Sequence, residues 1–113
     1  MWIMLKNSFL SVVHKDCEKD ELLVRARRKG DIEKVFPCAT VNRTPGVDYL
    51  YRAAIKREVV AQAMTDMLMS YTADNFKNSV KDNQLHTAYM GIWNIMARLQ
   101  HPAPYTRGAK ELF

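Results

Sequence analysis

Four cations stand within five residues of the stretch ELLVRARRKGDIE: Arg25, Arg27, Arg28 and Lys29. A guanidinium offers paired N–H groups to the oxygens of a phosphate or carboxylate, so the chemistry this run suggests is anion recognition. On an extended chain successive side chains point to opposite faces. Leu23, Arg25, Arg27 and Lys29 then share one face, and Leu22, Val24, Ala26 and Arg28 the other. A second extended run, Tyr49 to Lys56, sets Arg52 and Lys56 beside Leu50 and Ala54, opposite Tyr49, Tyr51, Ala53 and Ile55. If these runs are neighbouring strands, Arg25, Arg27, Arg52 and Lys56 gather on one open sheet face, with Lys29 at its end. A plainer reading competes with this one, because outward strand positions are commonly charged for solubility and to discourage edge pairing. Nucleic-acid-binding sheets also add stacking aromatics, and Tyr49 and Tyr51 fall on the wrong parity for that.

The other candidate chemistry is weaker. His14 and Cys17 have the spacing of metal ligands, but no second pair completes a zinc site, and an ordinary turn explains both. Cys17 or Cys38 with His86 and Asp82 can be drawn as a nucleophilic triad. Asp82 and His86, however, are four residues apart on a helix and can simply hydrogen-bond there. Lys29-Gly30-Asp31 precedes a helical pattern without any phosphate-loop motif, and Asp31 itself suits a cap. No catalytic residue, metal or cofactor is expected. Met69 lies off its helix's apolar stripe and is a candidate protein contact, as are Tyr105 and Phe113 of the C-terminal tail.

The elements that position these residues follow from pattern. Trp2 to His14 is rich in β-branched and aromatic residues and interrupted at Lys6-Asn7-Ser8, which predicts a strand or two short ones with a kink. Leu22 to Lys29 is a strand returning antiparallel after the charged turn Lys15 to Asp20. Gly30-Asp31 opens a short helix, Ile32 to Phe36, stopped by Pro37. Ala39 to Val41 begins a third strand, Pro45-Gly46 marks a turn, and Tyr49 to Lys56 is a further strand. From Arg57 to Tyr71, Val59, Val60, Ala63, Met64, Met67, Leu68 and Tyr71 keep helical spacing. Phe76 to Lys81 suggests a helical turn. Leu85, Ala88, Tyr89, Ile92, Trp93, Met96 and Leu99 form a second apolar stripe, ended by Pro102 and Pro104. Strands first and helices after predict an α+β fold: a small antiparallel sheet of three to four strands, covered on one face by two amphipathic helices.

At 113 residues and 48% hydrophobic, the chain fits one domain over residues 1–100 with a tail over 101–113. The net charge of +5 favours an anionic partner, either nucleic acid or an acidic protein surface. Two distant cysteines suggest reduced thiols and a cytoplasmic setting. The apolar start carries Lys6 and Asn7 and is too short for a bilayer, so no membrane is expected. A second copy of the chain could close an uncovered sheet face or edge, making a homodimer.

The segments MWIM, LLVRARRKGDIEKVFP, TPGVDYLYRA with IKREVVA, NFKNSV, and His-Thr-Ala-Tyr with its following tryptophan resemble a family of small uncharacterised proteins of bacteria, phages and other mobile elements. The resemblance covers most of Met1 to Gln100. It implies no activity, cofactor or catalytic residue. It does imply a setting in which small proteins often act by binding, including inhibitors of host defence such as anti-CRISPR proteins. Many of those are acidic DNA mimics, whereas this chain is basic. The expected function is therefore a non-enzymatic binding protein with a basic sheet face for nucleic acid or a nucleotide. The alternative is a protein-interaction module of a phage or mobile element.

Overall fold

The computed structural model describes residues 1–105. Its elements are β1 (Trp2–Met4), β2 (Phe9–Val13), β3 (Glu21–Ala26), β4 (Asn42–Arg43), β5 (Tyr51–Lys56), α1 (Arg57–Met69), α2 (Phe76–Ser79) and α3 (Asn83–Ala97). The strands form one antiparallel sheet in the order β1-β2-β3-β5-β4, so the chain is an α+β fold. There are five strands because two short ones flank the core. The first apolar run splits where the Leu5 N–H donates to the Ser8 carbonyl at 2.8 Å, closing a tight turn, and β4 is only two residues long.

Register explains which face is the core. Val12 pairs with Val24, Val24 with Ala53, Leu22 with Ile55 and Ala26 with Tyr51, so apolar residues meet across every central ladder on one side. Ile32 and Phe36 close over that side from the turns at residues 31–36, and Val60 does so from α1. The predicted helix at Ile32 to Phe36 is instead a succession of turns, held by Phe36 N–H donating to the Ile32 carbonyl at 2.8 Å and Lys34 N–H to Gly30 at 3.1 Å. Gly30 precedes them at φ 91°, a left-handed conformation that suits glycine. No loop separates β5 from α1. Lys56 ends the strand and caps the helix, and the Arg57 N–H donates to the Asp20 carbonyl at 2.8 Å.

The two long helices do not lie side by side. α1 packs on β3 and β5 over the apolar face. α3 instead joins Val80, Leu85 and Tyr89 to Phe9, whose strand parity is opposite to that of Leu10 in the main core. Asp82 caps α3 by accepting from Leu85 N–H at 3.2 Å, and Asn75 caps α2 by accepting from Asn78 N–H at 3.2 Å. The Tyr89 hydroxyl is shared between the carbonyls of Leu5 at 2.9 Å and Ser8 at 3.0 Å, fastening α3 to the β1–β2 turn. The apolar stripes run beyond the surfaces they cover. Leu68 and Tyr71 at the end of α1, and Met96 and Leu99 at the end of α3, were expected in the core and are exposed, because the helices run past the sheet residues that they cover.

Candidate anion-binding face

One row of residues crosses the whole sheet on the side away from the main core. Trp2 is registered with Ser11, Ser11 with Arg25, Arg25 with Arg52, and Arg52 with Asn42. At the usual strand separation this row spans about 19 Å. Arg25 and Arg52, predicted to share a face, stand directly opposite each other.

Like charges in that position repel, and the surrounding residues draw them apart. The Arg25 Nη2 donates to the Ser11 hydroxyl at 2.7 Å, toward β2. The Arg52 guanidinium turns the other way, its Nε donating to the Tyr49 carbonyl at 3.3 Å and its Nη2 to the Asp48 carbonyl at 2.6 Å. Arg27, just past the end of β3, pairs with the Asp48 carboxylate at 2.9 Å. That hydrogen bond holds Asp48 below the usual carboxylate range. Arg25 has no carboxylate partner among the described residues, and its buried Nε has no hydrogen-bond partner.

Tyr49 organises the cluster. It precedes the strand rather than belonging to it, and its φ of 60° is a strained left-handed conformation for an aromatic residue. The bend carries its ring to the arginine side, where the guanidinium carbons of Arg25 and Arg27 lie 4.4 and 4.1 Å from its centroid. Parity had placed Tyr49 on the opposite face. Because the ring is buried, it braces the arginines and offers no free surface for a base.

The remaining predicted cations contribute less. Lys56 shares the parity of Arg52 but pairs with Asp20 at 2.7 Å, which holds the Asp20 carboxyl low, and stands opposite Glu21. Lys29 was placed at the end of the strand face, but β3 stops at Ala26 and Lys29 lies in the following turn. Met69 is exposed at the end of α1, as a contact residue must be. Tyr105 stacks on Trp93 at 6.4 Å while keeping an exposed edge, and Phe113 lies outside the described residues.

Sequence reasoning missed three members of the row, Trp2, Ser11 and Asn42. The break at residues 5–8 hides the parity of Trp2, which stands 73% exposed on the arginine side. It also missed the knot around Asp31. That carboxylate, 1% exposed, accepts from Arg28 Nε at 3.1 Å and Nη2 at 3.0 Å and from the Phe9 N–H at 3.3 Å. Arg28 Nη1 reaches on to Asp82 at 2.9 Å, joining β3 to the start of α3. Asp82 is thus occupied with Arg28 and the helix cap, and hydrogen bonding to the Leu85 N–H, then to Arg28, lowers its pKa. Cys17 donates to the Glu21 carbonyl at 3.5 Å, and Cys38 is an exposed free thiol. Among the described residues no three His, Cys, Asp or Glu side chains are gathered for a metal ion, and no helix is long and apolar enough to cross a membrane.

Comparison with known proteins yields no matching family model, no matching curated protein and no matching solved structure.

Proposed function

We propose that the chain is a binding protein without catalytic chemistry, whose sheet face receives single-stranded nucleic acid or a nucleotide. The observation that carries this reading is the row Trp2, Ser11, Arg25, Arg52 and Asn42. Non-specific single-strand binding combines cations that follow the phosphates with an aromatic on which a base stacks, and this row offers both. Arg25 and Arg52 would take phosphate oxygens, the exposed Asn42 would flank them, the buried Ser11 would hold Arg25 in place, and Trp2 would stack a base. The support for binding over catalysis is that Asp82 and Cys17 are engaged in structural hydrogen bonds.

A row with two central arginines predicts a modest salt dependence. Two neutralised phosphates on a single strand give a slope of log affinity against log salt near −1.4, by order of magnitude. Fluorescence anisotropy with a labelled oligonucleotide checks this. Trp2→Ala should weaken binding by roughly 1–3 kcal/mol, and Arg25→Gln with Arg52→Gln should abolish the salt slope. Absence of binding at low salt, or an unchanged affinity in Trp2→Ala, would overturn the proposal.

A second reading is favoured by Leu68 and Met69, 75% and 83% exposed at the end of α1. These suit an apolar protein contact, as in a protein-interaction module of a phage or mobile element that inhibits host defence. Such a complex would persist at high salt, and Met69→Glu would dissolve it.

A further inference from the structure

Beside the arginine row, between β2 and α3, lies an open pocket of about 320 Å³. Ligand sites range over roughly 300–1,000 Å³, so this one has room for a small group only. Phe9, Ala88 and Ile92 give it apolar walls, and its charged members are Arg27, Arg28 and Asp31.

Two contacts tie the pocket to the row. Phe9 shares its strand face with Ser11, and its ring lies 6.5 Å from that of Trp2. Arg27 is linked to Arg25 through Tyr49, whose ring lies against both guanidiniums. A single strand crossing the row therefore has the pocket within reach.

Charge and hydrogen bonding identify the occupant. Each charge in the pocket is already balanced, Arg27 by Asp48 and Arg28 by Asp31 and Asp82, so a phosphate would have to displace a carboxylate. A wholly apolar group fits no better, because it would cover donors. Gln84, which also lines the pocket, accepts from Arg28 Nη1 at 3.1 Å through its amide oxygen, and Arg27 donates Nη1 to Asp48 at 2.9 Å. The Gln84 NH2 and the Arg27 Nη2 remain to donate, and a covered donor without a partner is unfavourable. A nucleobase meets both conditions: its faces suit Phe9 and Ile92, and its edge carries carbonyl acceptors. Resting on the single-strand reading above, we infer that this pocket takes one base of the strand that crosses the row, next to the base stacked on Trp2. The ligand is then a strand with neighbouring bases rather than a single nucleotide.

The test compares two labelled probes by fluorescence anisotropy at low salt: a short oligothymidine, and the same sugar-phosphate strand without its bases. Ala88 is exposed and leucine is a good helix former, so Ala88→Leu narrows the pocket while keeping α3. It should weaken oligothymidine binding roughly tenfold, the scale of one lost base contact, and leave the baseless strand unaffected. Trp2→Ala, with its pocket intact, should still prefer oligothymidine to the baseless strand roughly tenfold. This second variant decides should Ala88→Leu lose its helical circular dichroism. A folded Ala88→Leu that binds oligothymidine as tightly as the parent, or loses both probes equally, overturns the pocket assignment. So does a Trp2→Ala chain with no preference between the probes. Those outcomes leave the single-strand reading standing, whereas a parent chain that binds neither probe overturns both.

Discussion

The arginine row and the outer side of α3 are opposite kinds of surface. In the row and beside it each guanidinium is held by hydrogen bonds or stacking from within the chain: Arg25 by Ser11 and Tyr49, Arg52 by two carbonyls, and the neighbouring Arg27 by Asp48. Along α3, Ile95, Met96 and Leu99 stand largely exposed. A surface braced in advance loses little conformational entropy on meeting a ligand. The exposed apolar side chains of α3 have no comparable bracing. The difference teaches that charge density alone is a poor guide to which cations are free to meet a ligand, since several are satisfied internally.

The strongest way to break the comparison is to cut the link between its two regions. Asp31→Ala removes a buried carboxylate and strands Arg28, whose other bonds run to Asp82 and Gln84 on the α3 side. The expected loss is roughly 3 kcal/mol, read from the urea midpoint. A loss below about 1 kcal/mol would mean that Asp31 contributes little to holding α3, which would then rest on its apolar contacts and the Tyr89 hydroxyl.

A smaller effect separates α3 from the sheet by pH. Burial, aided by the nearby Asp31 charge, pushes the Tyr89 phenol up to about 12. The unfolded phenol ionises near 10, so between those values the unfolded chain has released a proton that the folded chain keeps, and stability falls as pH rises. The loss should approach at most about 3 kcal/mol, and little of it should appear below the unfolded value. Tyr89→Phe should cost about 1 kcal/mol at neutral pH through its two lost carbonyl contacts. That deficit should shrink in alkali, because the variant has no phenol to titrate. Parallel stability curves for the two proteins would contradict this account.

The smallest change sharpens the picture of α3 itself. A Cβ on Gly91 would meet nothing within 4 Å in the chain. In dilute protein Gly91→Ala should therefore stabilise the helix by roughly 0.5–1 kcal/mol. An unchanged or lowered urea midpoint in Gly91→Ala would contradict this.

Much of this architecture is legible in the sequence, for identifiable reasons. Alternation in β3 and β5 gives their faces correctly because one side of both strands packs into the main core, so Leu22, Val24, Ala53 and Ile55 keep period two, even though Leu23 on the other side is also buried. The same rule, with β3 and β5 as neighbours, places Arg25 and Arg52 on one face, while their direct pairing comes from the register. Alternation fails at Tyr49, where one left-handed residue reverses the side chain, and at Trp2, whose parity is lost across the turn at residues 5–8. Neither event has a periodic signature. The Arg28–Asp31–Asp82 knot was beyond reach for another reason: Arg28 and Asp82 lie 54 residues apart and meet only through tertiary packing. The apolar periodicity of α1 and α3 was also plain, but periodicity does not say whether a stripe faces its own sheet or another molecule.

The continuous passage from β5 into α1 also constrains how this chain can vary in length. One residue inserted at Lys56 would turn every following helical position by about 100°. Val60, Ala63 and Met64 would leave the sheet, and exposed residues such as Gln62 and Asp66 would swing toward it. The bends at residues 14–17 and 45–48 have no such constraint, since lengthening them changes neither register nor phase. Among descendants of this sequence, insertions and deletions should collect at those bends and be purged at the strand–helix junction, even though Lys56 and Arg57 are themselves exposed residues open to substitution.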